Sequence, residues 1–134
     1  MTNIIKYLIC LLLIMNLSAC GGNVKNVVRV DVESGIYTSN EINSAIDTIV
    51  KEFDNEWDGC TLIEIYYAGD KVSNDYQDWA DRNGVDQVIV LLSSFEVDSS
   101  GGDGSLNPNS KYDGWKWILV RKTDGQWKHV DHGY

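Results

Sequence analysis

Apolar residues recur at helical spacing between Ser39 and Trp57, and this is the most regular pattern in the chain. Thr38 and Glu41 stand in the spacing of a capping box, in which a hydroxyl and a carboxylate satisfy backbone N–H groups at the start of a helix. Asp58-Gly59 follows, and glycine suits the left-handed residue that ends many helices. The pattern therefore predicts one long amphipathic helix with a continuous apolar stripe: Ile42, Ala45, Ile46, Ile49, Val50, Phe53 and Trp57.

Strand patterns make up most of the remaining chain, either as alternating apolar and polar residues or as short apolar runs. The run Val88-Ile89-Val90-Leu91-Leu92 is typical of a strand that is buried on both faces. Asp124-Gly125 lies between two strand patterns and predicts a hairpin turn. Val27 to Glu33 also alternates, but the following Ser34-Gly35 favours an extended spacer over an edge strand. The predicted strands are Cys60 to Tyr67, Gln87 to Val97, Trp115 to Lys122 and Trp127 to Tyr134.

A second, shorter helix is predicted from Asn74 to Asn83, with Ser73 as its N-terminal cap and Gly84 as its C-terminal cap. The element order is then a long helix, a strand, a short helix and three strands. This order favours an α+β fold in which the long amphipathic helix packs on a curved antiparallel sheet. The order also resembles the cystatin-like and nuclear-transport-factor-2-like cone, which implies a sheet that wraps round the helix and leaves a concave face.

The first twenty residues have the proportions of a bacterial export signal. Lys6 is followed by the apolar segment Tyr7 to Leu17, which is too short for a transmembrane helix of about 20 residues. The segment runs into Leu17-Ser18-Ala19-Cys20, which resembles the bacterial lipobox. That resemblance implies acylation of Cys20 and cleavage on its N-terminal side. Two or three acyl chains hold a protein durably on a membrane, whereas one chain binds only marginally.

This signal predicts that lipid holds the protein on the extracytoplasmic, outer face of the cell membrane. It also divides the chain into three predicted segments. They are a signal peptide over 1–19, a lipidated cysteine and tether over 20–35, and a single globular domain over 36–134. Gly21 to Asn26 is small and polar, which favours the tether. No cofactor is expected other than the covalent lipid on Cys20.

The charge balance limits the class of partner. The formal net charge is −9, and since Lys6 is the only charged side chain in residues 1–19, the mature part carries −10. An acidic surface repels phosphate backbones, which argues against nucleic acid. The predicted partners are the membrane through the lipid anchor, and an envelope protein or a small-molecule ligand. Cys60 is alone in the mature domain and is predicted to be a small core residue.

The long loop from Ser99 to Asp113 is the most unusual segment and the first candidate site. Loops of this length in compact domains are often functional or disordered. The oxygen-bearing side chains that flank and fill it do not have the spacing of an EF-hand. The open alternatives are a structural or flexible loop, a partner-binding loop and a metal site, and deletion of residues 101–107 is expected to leave folding intact. The candidate binding residues here are Asp98, Asp103, Asn107 and Asn109.

Aromatic and histidine residues near the C-terminus form the second candidate site. Trp115 and Trp117 lie on one face of a predicted strand, either as an aromatic platform for a ligand or as core packing. His129 and His132 are three residues apart, which on a strand places them on opposite faces and is poor geometry for one metal ion. The open alternative is that the chain leaves the strand at Asp131, which would let them converge. We therefore assign no catalytic residue and no metal ligand.

Several segments within residues 36–134 carry a resemblance to a known family: Ile42 to Ile46 with Phe53, Gly59 to Leu62, Val90 to Phe95, Gly101 to Pro108, Trp117 to Arg121 and Trp127 to Tyr134. They resemble small lipoproteins of Gram-positive gut bacteria with an uncharacterised C-terminal domain. The resemblance implies no activity and no catalytic residues. The leading hypothesis is a non-enzymatic binding or interaction module. The alternative is a small-molecule enzyme, such as an isomerase, dehydratase or hydrolase, with its pocket in the concave face of the sheet.

Overall fold

The computed structural model describes residues 21–134, so the predicted signal peptide and Cys20 lie outside the described residues. The described part is an α+β fold with one five-stranded mixed sheet and three helices. No helix within it is long and apolar enough to cross a membrane. In chain order the elements are β1 (Val28–Val30), α1 (Ser39–Glu56), β2 (Cys60–Tyr67), α2 (Asp70–Asp75), α3 (Gln77–Arg82), β3 (Gln87–Val97), β4 (Lys111–Arg121) and β5 (Lys128–Gly133).

The sheet has the strand order β1-β2-β3-β4-β5, and one of its pairings is parallel. β1 pairs with β2 in parallel, whereas all other neighbours are antiparallel. The predictions of a wholly antiparallel sheet and of a spacer at residues 27–33 are therefore wrong at this edge. Val28 and Val30 are 56% and 41% exposed. The strand therefore has no buried apolar face that would distinguish it from an extended spacer in the sequence. The chain passes through α1 between β1 and β2, and such a crossover allows parallel pairing.

Helix α1 forms the predicted capping box and buries the predicted stripe. The Thr38 Oγ1 accepts a hydrogen bond from the Glu41 N–H at 3.2 Å, and the Glu41 carboxylate accepts one from the Thr38 N–H at 3.0 Å. Full burial of each large apolar side chain contributes roughly 1.5–3 kcal/mol, which fixes this helix on the sheet. Its buried side chains are Ile42, Ala45, Ile46, Ile49 and Phe53.

The opposite face of the sheet is covered by α2 and α3, two six-residue helices that replace the single helix predicted over 74–83. They meet at Tyr76, whose φ of −105° and ψ of 15° interrupt the helix. Ser73 is not a cap, because it lies inside α2 and its Oγ accepts the Val90 N–H at 3.0 Å. A second buried cluster around Ala80 and Val90 joins these helices to β3 and β4. The central strands are thus covered on both faces, as the apolar run in β3 predicted.

The chain before β1 is packed on the domain, although the sequence predicted a tether there. The Gly22 N–H donates to the Phe53 carbonyl at 3.0 Å, and the Asn23 N–H donates to the Cys60 carbonyl at 2.8 Å. A Cβ on Gly22 would lie 2.6 Å from the Phe53 carbonyl oxygen, so glycine permits this close approach. Val24 and Val27 pack against the core. Small residues that suggested a tether instead allow the backbone to lie directly on the end of α1.

Candidate functional site

A cleft of about 390 Å³ lies where the end of α1 meets the 98–110 loop and the last residues of β5. Two other clefts, of about 340 and 330 Å³, are similar in volume but have no aromatic side chain in their linings. Protein sites for small molecules are concave and largely apolar, with a few polar groups that fix orientation. The first cleft fits that description better than the other two. Its principal lining residues are Trp57, Asp58, Asp103, Leu106, Trp115 and His132.

The 98–110 loop is ordered by its own hydrogen bonds. The Asp98 carboxylate accepts the Ser100 N–H at 2.8 Å, and the Asp103 carboxylate accepts the Ser105 N–H at 2.9 Å. Such turns are typical of aspartate side chains, which bond the backbone two residues on. Gly101 is buried and Leu106 packs against the main core. Deletion of residues 101–107 should therefore lower the melting temperature, which revises the expectation that this segment is dispensable.

Of the six predicted binding residues, the structure brings two into the cleft. Asp103 and Trp115 line it. Asn107 is exposed and outside the lining, and its N–H donates to the Tyr112 hydroxyl at 3.0 Å. Asn109 and Asp98 close the base of the loop, because the Asn109 N–H donates to the Asp98 carbonyl at 2.9 Å.

Trp117 lies beneath the cleft instead of in it. Its side chain is fully buried in the core. Its Nε1–H donates to the Ser93 hydroxyl at 2.8 Å, so the polar atom of the indole is satisfied within the protein. A ligand in the cleft therefore does not contact Trp117 directly, because other rings lie between them.

Three rings form one wall of the cleft. The Trp57 and Trp115 ring centroids are 6.2 Å apart at an interplanar angle of 82°. The His132 ring lies 5.3 Å from Trp57 and 5.9 Å from Trp115, and it is nearly parallel to the latter, at 30°. Edge-to-face and offset packing of this kind is favourable between aromatic rings and holds each ring in place. The wall is therefore built by α1, β4 and β5 together.

The two histidines lie side by side, so the prediction that they occupy opposite faces is wrong. Ile118 pairs with Asp131 and Leu119 pairs with His129, which leaves Val130 as an extra residue in β5. A bulge of this kind shifts the alternation of side chains by one position. The His132 Nδ1 consequently lies 3.3 Å from the His129 Nε2.

A half-buried carboxylate lies beside this pair. The Glu52 Oε2 lies 2.6 Å from the His129 Nδ1, and the two side chains are 29% and 13% exposed. This contact does not have hydrogen-bond geometry, and no hydrogen-bond donor of residues 21–134 reaches the Glu52 Oε2. Burial lowers the pKa of His132, and the neighbouring His129 lowers it further, whereas Asp131 and Glu52 oppose the shift. His132 is therefore neutral at pH 7 and presents an uncharged ring to the cleft.

The floor of the cleft includes Cys60, which is 2% exposed and belongs to the core as predicted. Burial raises the pKa of the Cys60 thiol to about 11, with further contributions from Asp98, Asp103 and Asp58. The thiol is consequently protonated at neutral pH and is a poor nucleophile. No group of three or more His, Cys, Asp or Glu side chains in the described part of the chain is arranged to hold a metal ion.

Sequence reasoning missed the contributions of Trp57 and His132. Trp57 belongs to the apolar stripe, but it is the C-terminal cap of α1, with φ −95° and ψ 61°, and its ring reaches the cleft. The position of His132 is set by a bulge that the residue types of β5 do not predict. Comparison of the chain with protein-family models, with characterised proteins and with solved structures finds no match.

Proposed function

We propose that this chain is a membrane-anchored extracytoplasmic lipoprotein whose domain binds a small organic ligand in the cleft and does not transform it. The observation that carries the binding proposal is the cleft itself, in which two half-buried tryptophans and a leucine lie beside carboxylates. The polar loop and the strand aromatics that the sequence singled out meet there through Asp103 and Trp115. The proposed resemblance to uncharacterised lipoproteins is compatible with this role.

The described residues that follow the proposed lipid anchor in sequence pack near the cleft. Cys20 is adjacent to Gly21, and Gly22 and Asn23 already bond the backbone of Phe53 and Cys60. Because Cys60 lies at the floor of the cleft, an acylated Cys20 would hold this end of the domain near the lipid surface. The anchor would thus bring the cleft to ligands at the membrane.

Anchoring is tested by metabolic labelling with a fatty acid. The Cys20→Ala variant should incorporate no label, because its acylated sulfur is gone. The matched control is Cys60→Ala, which should be labelled like the unaltered chain. Continued labelling of Cys20→Ala would contradict the anchor.

Ligand binding in the cleft is tested by the melting temperature of the full chain against a library of small organic compounds. A ligand that binds only the folded state stabilises it by ~2.7 kcal/mol at a hundredfold excess over Kd. Ser105 lines the cleft and Ser99 is an exposed loop residue outside it. Ser105→Trp should fill the cleft and abolish the shift, whereas Ser99→Trp should preserve it. Equal shifts in the two variants would place binding elsewhere.

A second candidate is a small-molecule enzyme, and one observation favours it. The Glu52, His129 and His132 side chains form a chain that leads to the cleft, in which a carboxylate contacts one imidazole and that imidazole contacts another. Such a chain is suited to general acid–base catalysis. The expected cystatin-like or nuclear-transport-factor-2-like cone is compatible with this alternative. Incubation of each bound compound with the protein distinguishes an enzyme from a binding protein. An enzyme would convert the compound to a product, and His132→Gln would stop that conversion.

A further inference from the structure

We infer that the ligand of the cleft is a small organic ammonium ion, an inference that rests on the proposed binding function. The apolar groups of such an ion lie against Trp57 and Trp115. Its charge is balanced by the carboxylates of Glu56, Asp58 and Asp103. One cleft thus combines aromatic rings and carboxylates, with no lysine or arginine in its lining.

The aromatic wall suits an ammonium ion because the face of an indole ring carries negative charge density. Cations within about 6 Å of a ring centroid are attracted to it, and tryptophan attracts them most strongly. Trp57 and Trp115 meet nearly at a right angle, 82°, and both are half-buried. Both residues line the cleft and keep part of their surface exposed there, and Leu106 adds apolar surface beside them.

The carboxylates of the lining are not neutralised by the protein. Glu56 and Asp58 form no ion pair with any residue of the described chain. A hydrogen bond from the Ser105 hydroxyl lowers the pKa of Asp103, which is therefore ionised at neutral pH. No lysine or arginine lies among the lining residues.

Two of the same carboxylates act on the thiol of Cys60 at the floor of the cleft. Beyond the effect of burial, its pKa is raised by Asp98, Asp103 and Asp58, which means that negative charge at the cleft disfavours an anion on its floor. A cation is favoured by the same field, and an anionic ligand is rejected. A neutral ligand gains the ring contacts alone.

The test compares choline with 3,3-dimethylbutan-1-ol, in which carbon replaces the quaternary nitrogen and the shape is retained. The full chain, purified in non-ionic detergent, is titrated with each compound at matched ionic strength, and the indole NMR signals are followed. Choline should bind at least tenfold more tightly than its neutral analogue. Glycerophosphocholine separates two sources of the same chemistry. Weaker binding than choline assigns a free ammonium compound, and stronger binding assigns a lipid headgroup.

Charge variants locate the effect within the cleft. Glu56→Gln and Asp58→Asn should each weaken choline binding about three- to fivefold, as expected for a solvent-screened pair of unit charges a few ångströms apart. Neither should alter binding of the neutral analogue. Asp54→Asn, on an exposed position of α1 outside the lining, is the matched control and should change neither.

Equal affinity for choline and its neutral analogue would overturn the ammonium inference, as would loss of binding in Asp54→Asn to the same extent as in Asp58→Asn. Absence of choline binding would also overturn it. These results leave the binding function intact if a neutral compound from the library still stabilises the chain and Ser105→Trp still abolishes that effect. Failure of every compound in the library would instead overturn the proposed function.

Discussion

The His132 Nδ1 lies 3.3 Å from the His129 Nε2, although a regular strand would place these side chains on opposite faces. The extra residue Val130 in β5 brings them together. Through His129, this contact connects the half-buried carboxylate of Glu52 to the rings of the cleft wall.

His132 should titrate below the ordinary histidine value of 6.5, because burial and the neighbouring His129 disfavour its charged form. A group whose pKa is lower in the folded state binds fewer protons there than in the unfolded state. Its contribution to stability is therefore present above pH 6.5 and is lost as the pH falls through the folded value. NMR titration of the imidazole signals measures the midpoint directly.

Two variants check the origin of this shift. Glu52→Gln should lower the His132 midpoint further, because Glu52 opposes the shift. His132→Gln should lose part of the decrease in unfolding free energy between pH 7 and pH 5. A His132 midpoint at or above 6.5 in the unaltered chain would contradict the arrangement.

Gly59 is required between α1 and β2 for two reasons. Its φ is +73°, and a Cβ there would lie 2.5 Å from the Ser100 Oγ and 2.8 Å from the Asp98 Oδ1. Gly84 provides a matched control, because its φ is +66° and a Cβ would meet nothing within 4 Å. Gly84→Ala should cost about 1–2 kcal/mol for the left-handed backbone alone. Gly59→Ala should cost at least ~1 kcal/mol more, because the 98–110 loop must also move.

Denaturant unfolding of the two glycine variants measures this difference. Similar losses of unfolding free energy at both positions would show that the 98–110 loop is not in close contact with Gly59. The comparison therefore tests whether the loop is seated on the end of α1 as described.

Arg121 joins the N-terminal end of α1 to β4. Its side chain is 7% exposed, it forms an ion pair with Glu41, and its guanidinium lies 4.2 Å from the Trp127 ring centroid. Breaking a buried ion pair costs about 3–5 kcal/mol. Because Glu41 is 28% exposed and regains water, we expect Arg121→Met to cost less, roughly 2 kcal/mol of unfolding free energy.

Arg82 is the matched control, because it forms the same two kinds of contact, an ion pair and a ring contact, at the surface. It pairs with Asp78 at 2.9 Å and lies 4.0 Å from the Trp79 ring centroid, but it is 57% exposed. Exposed pairs contribute little, so Arg82→Met should cost under about 1 kcal/mol. Thermal unfolding that ranks Arg82→Met as the more harmful change would refute the role given to Arg121.

The Cys60 thiol should react slowly with alkylating reagents in the folded protein. Its pKa of about 11 against an ordinary 9.0 lowers the thiolate fraction about a hundredfold at neutral pH, and burial slows access further. Alkylation followed by mass spectrometry, in native buffer and in denaturant, measures the ratio, with Cys60→Ala as the background. Equal rates in both conditions would show that the sulfur is open to solvent.

Local signals in the sequence sufficed to predict α1 and most of the sheet. The capping box at Thr38 and Glu41 and the stripe from Ile42 to Phe53 involve residues within one element, so their periodicity is visible without tertiary contacts. The doubly buried run in β3 was equally visible. Parallel pairing of β1 was not, because Val28 and Val30 face solvent and resemble an extended spacer.

The cleft depends on features that residue types alone do not reveal. The bulge at Val130 reverses the side-chain alternation of β5, and this decides where His132 points. Trp57 reads as one more residue of the helical stripe, yet it ends the helix. The loop was visible as a long polar segment, but the burial of Gly101 and the packing of Leu106 that seat it on the core arise only from tertiary contacts.

The indole NMR signals of the ¹⁵N-labelled full chain test the central claim most directly, when they are recorded with a compound that raises the melting temperature. The signals of Trp57 and Trp115 should shift, because both rings line the cleft, and that of Trp79, which packs on the opposite face of the sheet, should not. Ser105→Trp should abolish the shifts and Ser99→Trp should preserve them. Shifts confined to Trp79, or undiminished in Ser105→Trp, would show that the ligand does not bind in this cleft.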